Sequence, residues 1–301
     1  MRISSPMIYE LGVSAIQNRT SELVKFQQQL AAGRRLLAPS DDPVASAQTL
    51  EIAQSLSVTQ QYQANITRAH QALSLEDTVL GQIARVIQDA KVTAINSGNP
   101  TLSPANLRAL AAELKGRYQE LLGLANSQDG QGQYLFAGYQ SQVRPFTQTS
   151  GAGVYAGDQG IRSVQIAASR RIAINDTGQD VFRPGVAGQD VFATLDTLIN
   201  QLDTGSITGA QLSAALSSLD NALNNVLRVR ASVGARLREL DATDGTHGDS
   251  VLQYQTTLSE LTDLDYAKAI TDLTRTQTAL EAAQKSFVSI SQLSLFNYIG
   301  R

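Results

Sequence analysis

A chain of 301 residues with a net charge of −3 offers no basic footprint for nucleic acid, and without cysteine it has neither disulfides nor thiolate metal ligands. Aromatic residues make up only 5% of it and Trp is absent, so it lacks the bulky anchors of a compact globular core, whereas its abundant Gln, Ser, Ala, Thr and Leu suit long helices with small seams. No apolar run approaches the ~20 residues needed to span a bilayer. The start, Met1-Arg2-Ile3-Ser4-Ser5-Pro6, lacks the apolar core of a cleaved secretory signal. The expectation is a protein that stays in the cytoplasm or leaves by a route that reads no such signal.

Pro6 suits the first turn of a helix capped by Ser4 or Ser5. Its stripe is Tyr9, Val13, Ile16, Leu23 and Leu30, with Thr20 and Gln27 in the remaining seam positions, and it ends near Gly33 with Arg34 and Arg35 at its negative end. In Ala38-Pro39-Ser40-Asp41-Asp42-Pro43, Asp42 is an N-cap and Pro43 a first helical residue. From Pro43 to about Asn96 the pattern is helical throughout, with Ile52, Tyr62, Ile66, Leu73, Leu80, Ile83, Ile87 and Ala90 in phase. Ser97-Gly98-Asn99-Pro100 turns the chain, and Ser103-Pro104 starts a third helix that buries Leu107, Leu110, Leu114, Leu121 and Leu124.

Glycines then become dense and β-type alternation replaces heptads. Tyr134-Leu135-Phe136, Val164-Gln165-Ile166 and Arg171-Ile172-Ala173-Ile174 read as short strands, and Gly157-Asp158-Gln159-Gly160 as a hairpin turn. This segment is expected to be removable, since the helical halves on either side can zip together without it. Helix resumes at Asp190 through Phe192, Leu195, Leu198 and Leu202, and breaks at Thr204-Gly205. A single seam phase then holds from Leu212 to Leu261, crossing Thr243–Asp249 with Asp244 and His247 at seam positions, which predicts a weakened helix rather than a break. The phase resets at Asp263-Leu264-Asp265, where Asp265 caps the last helix. There Tyr266, Ile270, Leu273, Gln277, Leu280, Gln284 and Phe287 draw a half-polar coiled-coil seam ending in Leu293, Leu295, Phe296, Tyr298 and Ile299.

The fold expected is therefore mainly α: a long antiparallel helical bundle or coiled coil formed by the two halves of the chain, with a small inserted β-rich domain. The divisions are 1–36 with 265–301, 37–132 with 190–264, and 133–189. The chemistry is sparse. His247 with Asp244 and Asp249 lacks the alternating ligand pattern of a cation loop, and His70 reads as a surface or packing residue. Gly151, Gly153 and Gly157 lack phosphate-loop spacing. Asp41-Asp42 reads as a cap rather than a catalytic pair, and Arg228, Arg230, Arg236 and Arg238 as a solvated helix face. No catalytic residue, metal site or cofactor is expected. The polar terminal seams and the uncovered apolar tip favour burial against other molecules. The candidate assembly residues are thus Ile3, Tyr9, Val13, Ile16, Leu23, Leu30, Ile270, Leu273, Leu280 and Phe287, with Leu293, Leu295, Phe296, Tyr298 and Ile299 at the tip; Asp42, Pro43 and Asp265 are structural caps.

Four stretches carry a resemblance that covers the whole length: Met1-Arg2-Ile3-Ser4, Gly33-Arg34-Arg35 through Pro39-Ser40-Asp41-Asp42-Pro43, Tyr134-Leu135-Phe136-Ala137-Gly138-Tyr139 followed by Pro145-Phe146, and Leu293-Ser294-Leu295-Phe296-Asn297-Tyr298-Ile299. They resemble the bacterial flagellin superfamily and, within it, the FlgL-type hook-associated proteins of the hook–filament junction. The resemblance implies an extracellular structural protein of the flagellum, exported unfolded without a cleaved signal. It would form a ring of subunits between a FlgK-type junction protein and flagellin, and an export chaperone would hold its C-terminal segment. It also implies terminal helices paired in an inner tube, a helical domain outside them and a β domain at the surface. Two other readings stay open: a flagellin-like filament subunit, and a secreted helical adhesin or enzyme with a β module.

Overall fold

A computed structural model describes residues 5–149 and 152–299, apart from the side chains at 5, 6, 8, 149, 152 and 291–299. Its elements are α1 (Ser5–Ala32), α2 (Pro43–Ser97), α3 (Pro104–Ala125), β1 (Phe146–Thr149), β2 (Ala152–Tyr155), β3 (Ser163–Ala167), β4 (Arg170–Ala173), α4 (Gly178–Phe182), α5 (Val191–Asp203), α6 (Gly209–Thr262) and α7 (Tyr266–Ile299). Among the described residues no helix is long and apolar enough to cross a membrane.

The helix starts follow local chemistry. Asp42 Oδ1 accepts the Ala45 N–H at 3.0 Å, Ser103 Oγ that of Asn106 at 3.2 Å, Asp190 Oδ1 that of Ala193 at 3.0 Å and Asp265 Oδ1 that of Lys268 at 3.1 Å. Each satisfies one of the donors a helix leaves open at its N-terminus. Ser4, the proposed cap of α1, and the Ser5 side chain lie outside the described residues. Helix α6 runs unbroken through Gly245 and Gly248, as the seam phase requires, and a Cβ added at either position would meet nothing within 4 Å. Gly248→Ala is therefore expected to stabilise α6 by about 1 kcal/mol, read as a rise in its melting temperature.

The chain divides into two compact units, Thr59–Gly248 and the two ends, Met1–Val58 with Asp249–Arg301. The Thr59–Gly248 unit holds nearly all of the apolar interior. Leu73, Leu80, Ile83 and Ile87 of α2 join Leu114 and Leu121 of α3, Leu195 and Leu198 of α5, and Val226 and Val233 of α6 in one core. At its strand end lie Tyr118, Phe136, Phe146, Phe182 and Phe192, all fully buried. The Phe146 ring is 4.9 Å from Phe182 and 5.1 Å from both Phe192 and Tyr155, and Phe136 meets Phe182 edge-on at 5.7 Å.

The strands form two separate antiparallel hairpins, β1–β2 with Phe146 opposite Tyr155, and β3–β4 with a bulge between Gln165 and Ala167. Two expectations fail here. Tyr134-Leu135-Phe136 is a turn held by one bridge, Gln128 to Tyr134, with the Phe136 carbonyl taken by Gly178 N–H and Tyr155 O–H at 2.9 Å each. Gly157–Gly160 connects the two sheets instead of closing a hairpin, because Asp158 Oδ1 folds it back by accepting the N–H groups of Tyr139 at 2.7 Å and Gly160 at 2.8 Å. The strand segment is also tied to the helices. Its buried side chains Phe146, Ile166, Ile172 and Phe182 belong to the helices' core, and Asn126 at the end of α3 grips both the N–H and the carbonyl of Phe146.

Candidate assembly surface

The block from Gly33 to Pro43 builds a joint. Gly33 takes φ +66°, and the Tyr266 hydroxyl lies 2.8 Å from where a Cβ would stand, so a side chain is opposed both by the backbone and by its neighbour. Arg35 N–H donates to the Thr262 carbonyl at 2.8 Å, Arg35 Nη2 to the Leu261 carbonyl at 2.8 Å, and Leu264 N–H to the Gly33 carbonyl at 3.3 Å. Gln29 is buried and donates to the Arg35 carbonyl at 2.6 Å. The two adjacent acids divide the work. Asp42 caps α2 and faces Arg35, while Asp41 closes the preceding turn by accepting the N–H groups of Leu37 and Ala38 at 3.0 and 3.1 Å. Lys25, 2.7 Å away, and then those backbone donors hold the Asp41 carboxyl at about 2. The Ala45 N–H and then Arg35 hold that of Asp42 below the usual aspartate range. Sequence reasoning found the cap at Asp42 and missed the turn closure by Asp41.

From this joint α1 and α7 run side by side, with Gly33 beside Tyr266 at one end and the Tyr9 ring tilted against Phe287 at 4.9 Å near the other, so they are antiparallel. The contact stripe differs from the expected seam. On α7 the inward positions are Ala269, Leu273, Thr276, Leu280, Ala283 and Phe287, whereas Gln277 and Gln284 are exposed and Ile270 is 53% exposed. On α1 they include Gly12, Ile16, Leu23, Phe26 and Leu30, whereas Thr20 and Gln27 are exposed. Leu273, Leu280 and Phe287 fit either stripe. The helices choose the side with the small residues, because Gly12 lets the Phe287 ring reach the α1 backbone and Ala269 and Ala283 permit close approach. The signal for this was the row of Gly and Ala, which a hydrophobic count ignores.

Of the candidate assembly residues, Val13, Ile16, Leu23, Leu30, Leu273, Leu280 and Phe287 are half-buried, and Tyr9 and Ile270 are exposed. Ile3 and the side chains of Leu293, Leu295, Phe296, Tyr298 and Ile299 lie outside the described residues. Met7, Leu11, Val24, Val288 and Ile290 add further exposed apolar groups on the same two helices that sequence reasoning had not named. Within the unit of the two chain ends Ala45 and Ala269 are the only buried apolar residues among those described.

The remaining chemistry is structural. His247 Nε2 lies 2.7 Å from the Ile166 carbonyl and its ring stacks on Tyr62; His70 faces Ser74 and Asp241. The arginine stretch is not a uniformly solvated face. Arg230 pairs with Asp77 of α2 at 2.9 Å, and Arg236, only 13% exposed, pairs with Asp176. Among the described residues no three His, Asp or Glu side chains gather as a metal site.

The bacterial flagellin N-terminal helical region matches residues 3–141. Over 315 aligned positions the chain is 36% identical to flagellar hook-associated protein 3 of Salmonella typhimurium, spanning 98% of this chain and 99% of that one. The structure of a provisionally assigned flagellar hook-associated protein from Vibrio parahaemolyticus superposes with a TM-score of 0.69 at 27% identity, over 74% of this chain and all of that one. That of the flagellar junction protein FlgL from Legionella pneumophila gives 0.59 at 22% identity over 72% of this chain, a likeness of fold. With more than a third of its residues shared from end to end, the chain belongs to the flagellar hook-associated protein 3 family.

Proposed function

We propose that this chain performs the structural role of its family, at the hook–filament junction of the bacterial flagellum, by burying its paired terminal helices against other subunits. One observation carries the reading: α1 and α7 leave Tyr9, Leu11, Ile270 and Val288 each more than half exposed, in a unit with almost no apolar interior of its own. We read these exposed apolar side chains, on helices with so little interior of their own, as the part that other subunits cover. Residues 1–36 with 265–301 then act as the assembly domain, 37–132 with 190–264 as a helical domain, and 133–189 as a surface domain. The partners are further copies of the chain in a ring, a FlgK-type junction protein on one side and flagellin on the other. An export chaperone takes the C-terminal segment before export without a cleaved signal. The role is non-catalytic and calls for no cofactor.

Ile270→Asp places a charge on the uncovered flank of α7 without touching the Thr59–Gly248 core. It is expected to leave the main melting transition unchanged and to abolish co-sedimentation with a FlgK-type junction protein. Co-sedimentation equal to that of the unaltered chain would reject the surface. Labelling on detached flagella separates the filament-subunit reading, which requires signal along the filament instead of a spot at its base.

A further inference from the structure

Glu76 is a buried acid that the assembly surface does not use. It lies on α2 at 2% exposure; Oε1 accepts the Asp176 N–H at 3.0 Å and Oε2 has no partner. Asp176 belongs to the link between β4 and α4. Its carboxylate is paired with Arg236 of α6, whose guanidinium also donates to the Ala173 carbonyl at 3.2 Å. One guanidinium, already committed to Asp176, thus faces two carboxyl groups. The other charged groups around Glu76 line a cavity of about 400 Å³ beside it: Arg68 on α2, Asp129 in the loop after α3, and Arg162 ahead of β3. Asp129 is occupied by the N–H groups of Gln131 and Gln133, and Arg162 donates to Gln133 Oε1 at 3.0 Å. None of them relieves Glu76 Oε2. An ionised carboxylate here would be stripped of water, set beside a like charge and offered a single backbone donor.

We propose that Glu76, Asp176 and Arg236 form a proton-held latch: a neutral Glu76 keeps α2 tied through Asp176 to α6, and alkaline medium opens the tie by ionising it. The neutral carboxyl holds the Asp176 N–H without setting a second negative charge against the Asp176–Arg236 pair. Once ionised, two carboxylates compete for one guanidinium. Burial first, and then the Asp176 charge, keep the Glu76 carboxyl protonated well above the ordinary value of 4.5, with Arg236 opposing. The unfolded chain releases this proton near 4.5, so above that pH the folded state carries the extra proton and rising pH favours unfolding. Below 4.5 both states are protonated and the contribution is level.

The test is urea unfolding of the full chain between pH 5 and 9, comparing the native protein with Glu76→Gln, which mimics the neutral acid. The unfolded-to-folded ratio of the native chain relative to the variant should rise by about tenfold or more across that range, one decade for each pH unit over which Glu76 titrates in one state only. Parallel profiles would overturn the latch, because a purely structural contact shifts both curves equally. If Glu76→Gln does not fold, carboxyl-carbon NMR of the glutamate-labelled native chain decides. A glutamate resonance still protonated at pH 7 supports the latch, and titration of every glutamate near its ordinary value rejects it.

Discussion

Phe146→Ala is expected to destabilise the Thr59–Gly248 unit by about 3–5 kcal/mol, the largest effect of any single substitution considered for this chain. Phe146 is fully buried, three rings lie within 5.1 Å of its own, and Asn126 holds its backbone on both sides, so the surroundings cannot collapse into the space it leaves. Val154→Ala on the same hairpin, at a side chain 46% exposed, provides the control and should stay within about 0.5 kcal/mol. Urea midpoints of the two variants measure the difference, and equal midpoints would mean that the aromatic cluster does not hold the strands to the helices. The same packing implies that replacing residues 141–185 by a linker removes the cooperative transition, since Phe146, Ile166, Ile172 and Phe182 all leave the core with it.

In the free protein at low concentration, the amides of residues 12–32 and 266–290 are expected to exchange about a thousandfold faster than those of α3 and α5. Isolated helices are marginal in water, and each residue ordered costs about 1–2 kcal/mol of backbone entropy. Full burial of an apolar side chain returns ~1.5–3 kcal/mol, but Val13, Ile16, Leu23, Leu273 and Leu280 reach only partial burial, and Gly12, Ala269 and Ala283 on the same two helices bury little. Subunits that cover Tyr9, Ile270 and Val288 would supply the missing burial, so protection of both helices should rise on assembly. Equal protection of the terminal helices and the core in dilute monomer would refute this account.

Helix positions were legible because local chemistry sets them. Asp42-Pro43, Ser103-Pro104, Asp190 and Asp265 announce starts, and the constant phase from Leu212 to Leu261 outweighed the two glycines in α6. The face that α1 and α7 turn to each other was half legible. Three apolar residues fit two stripes, and the choice between them rests on the missing side chain at Gly12 and the small one at Ala269. The strands were least legible. Runs of four residues carry little alternation, and β1 and β2 exist because Phe146 and Tyr155 reach an aromatic cluster contributed by α3, α4 and α5, which no local pattern encodes. Glu76 gave no local signal, because the group that meets its carboxyl, Asp176, lies 100 positions away.

The stitch between Arg35 and Leu261 closes a loop of 226 positions, whereas Thr59–Gly248 is one uninterrupted run of chain. This arrangement puts the two units in a fixed order in time. The inner run has its hydrophobic partners as soon as its own residues are present, and a closure such as Asp77 to Arg230, across 153 positions, spans fewer residues than the terminal stitch. The terminal unit has nothing to close upon until the last residues arrive. In a chain delivered from its N-terminus the first helix therefore waits longest for its mate, and the surface proposed to meet other subunits is the last to take shape.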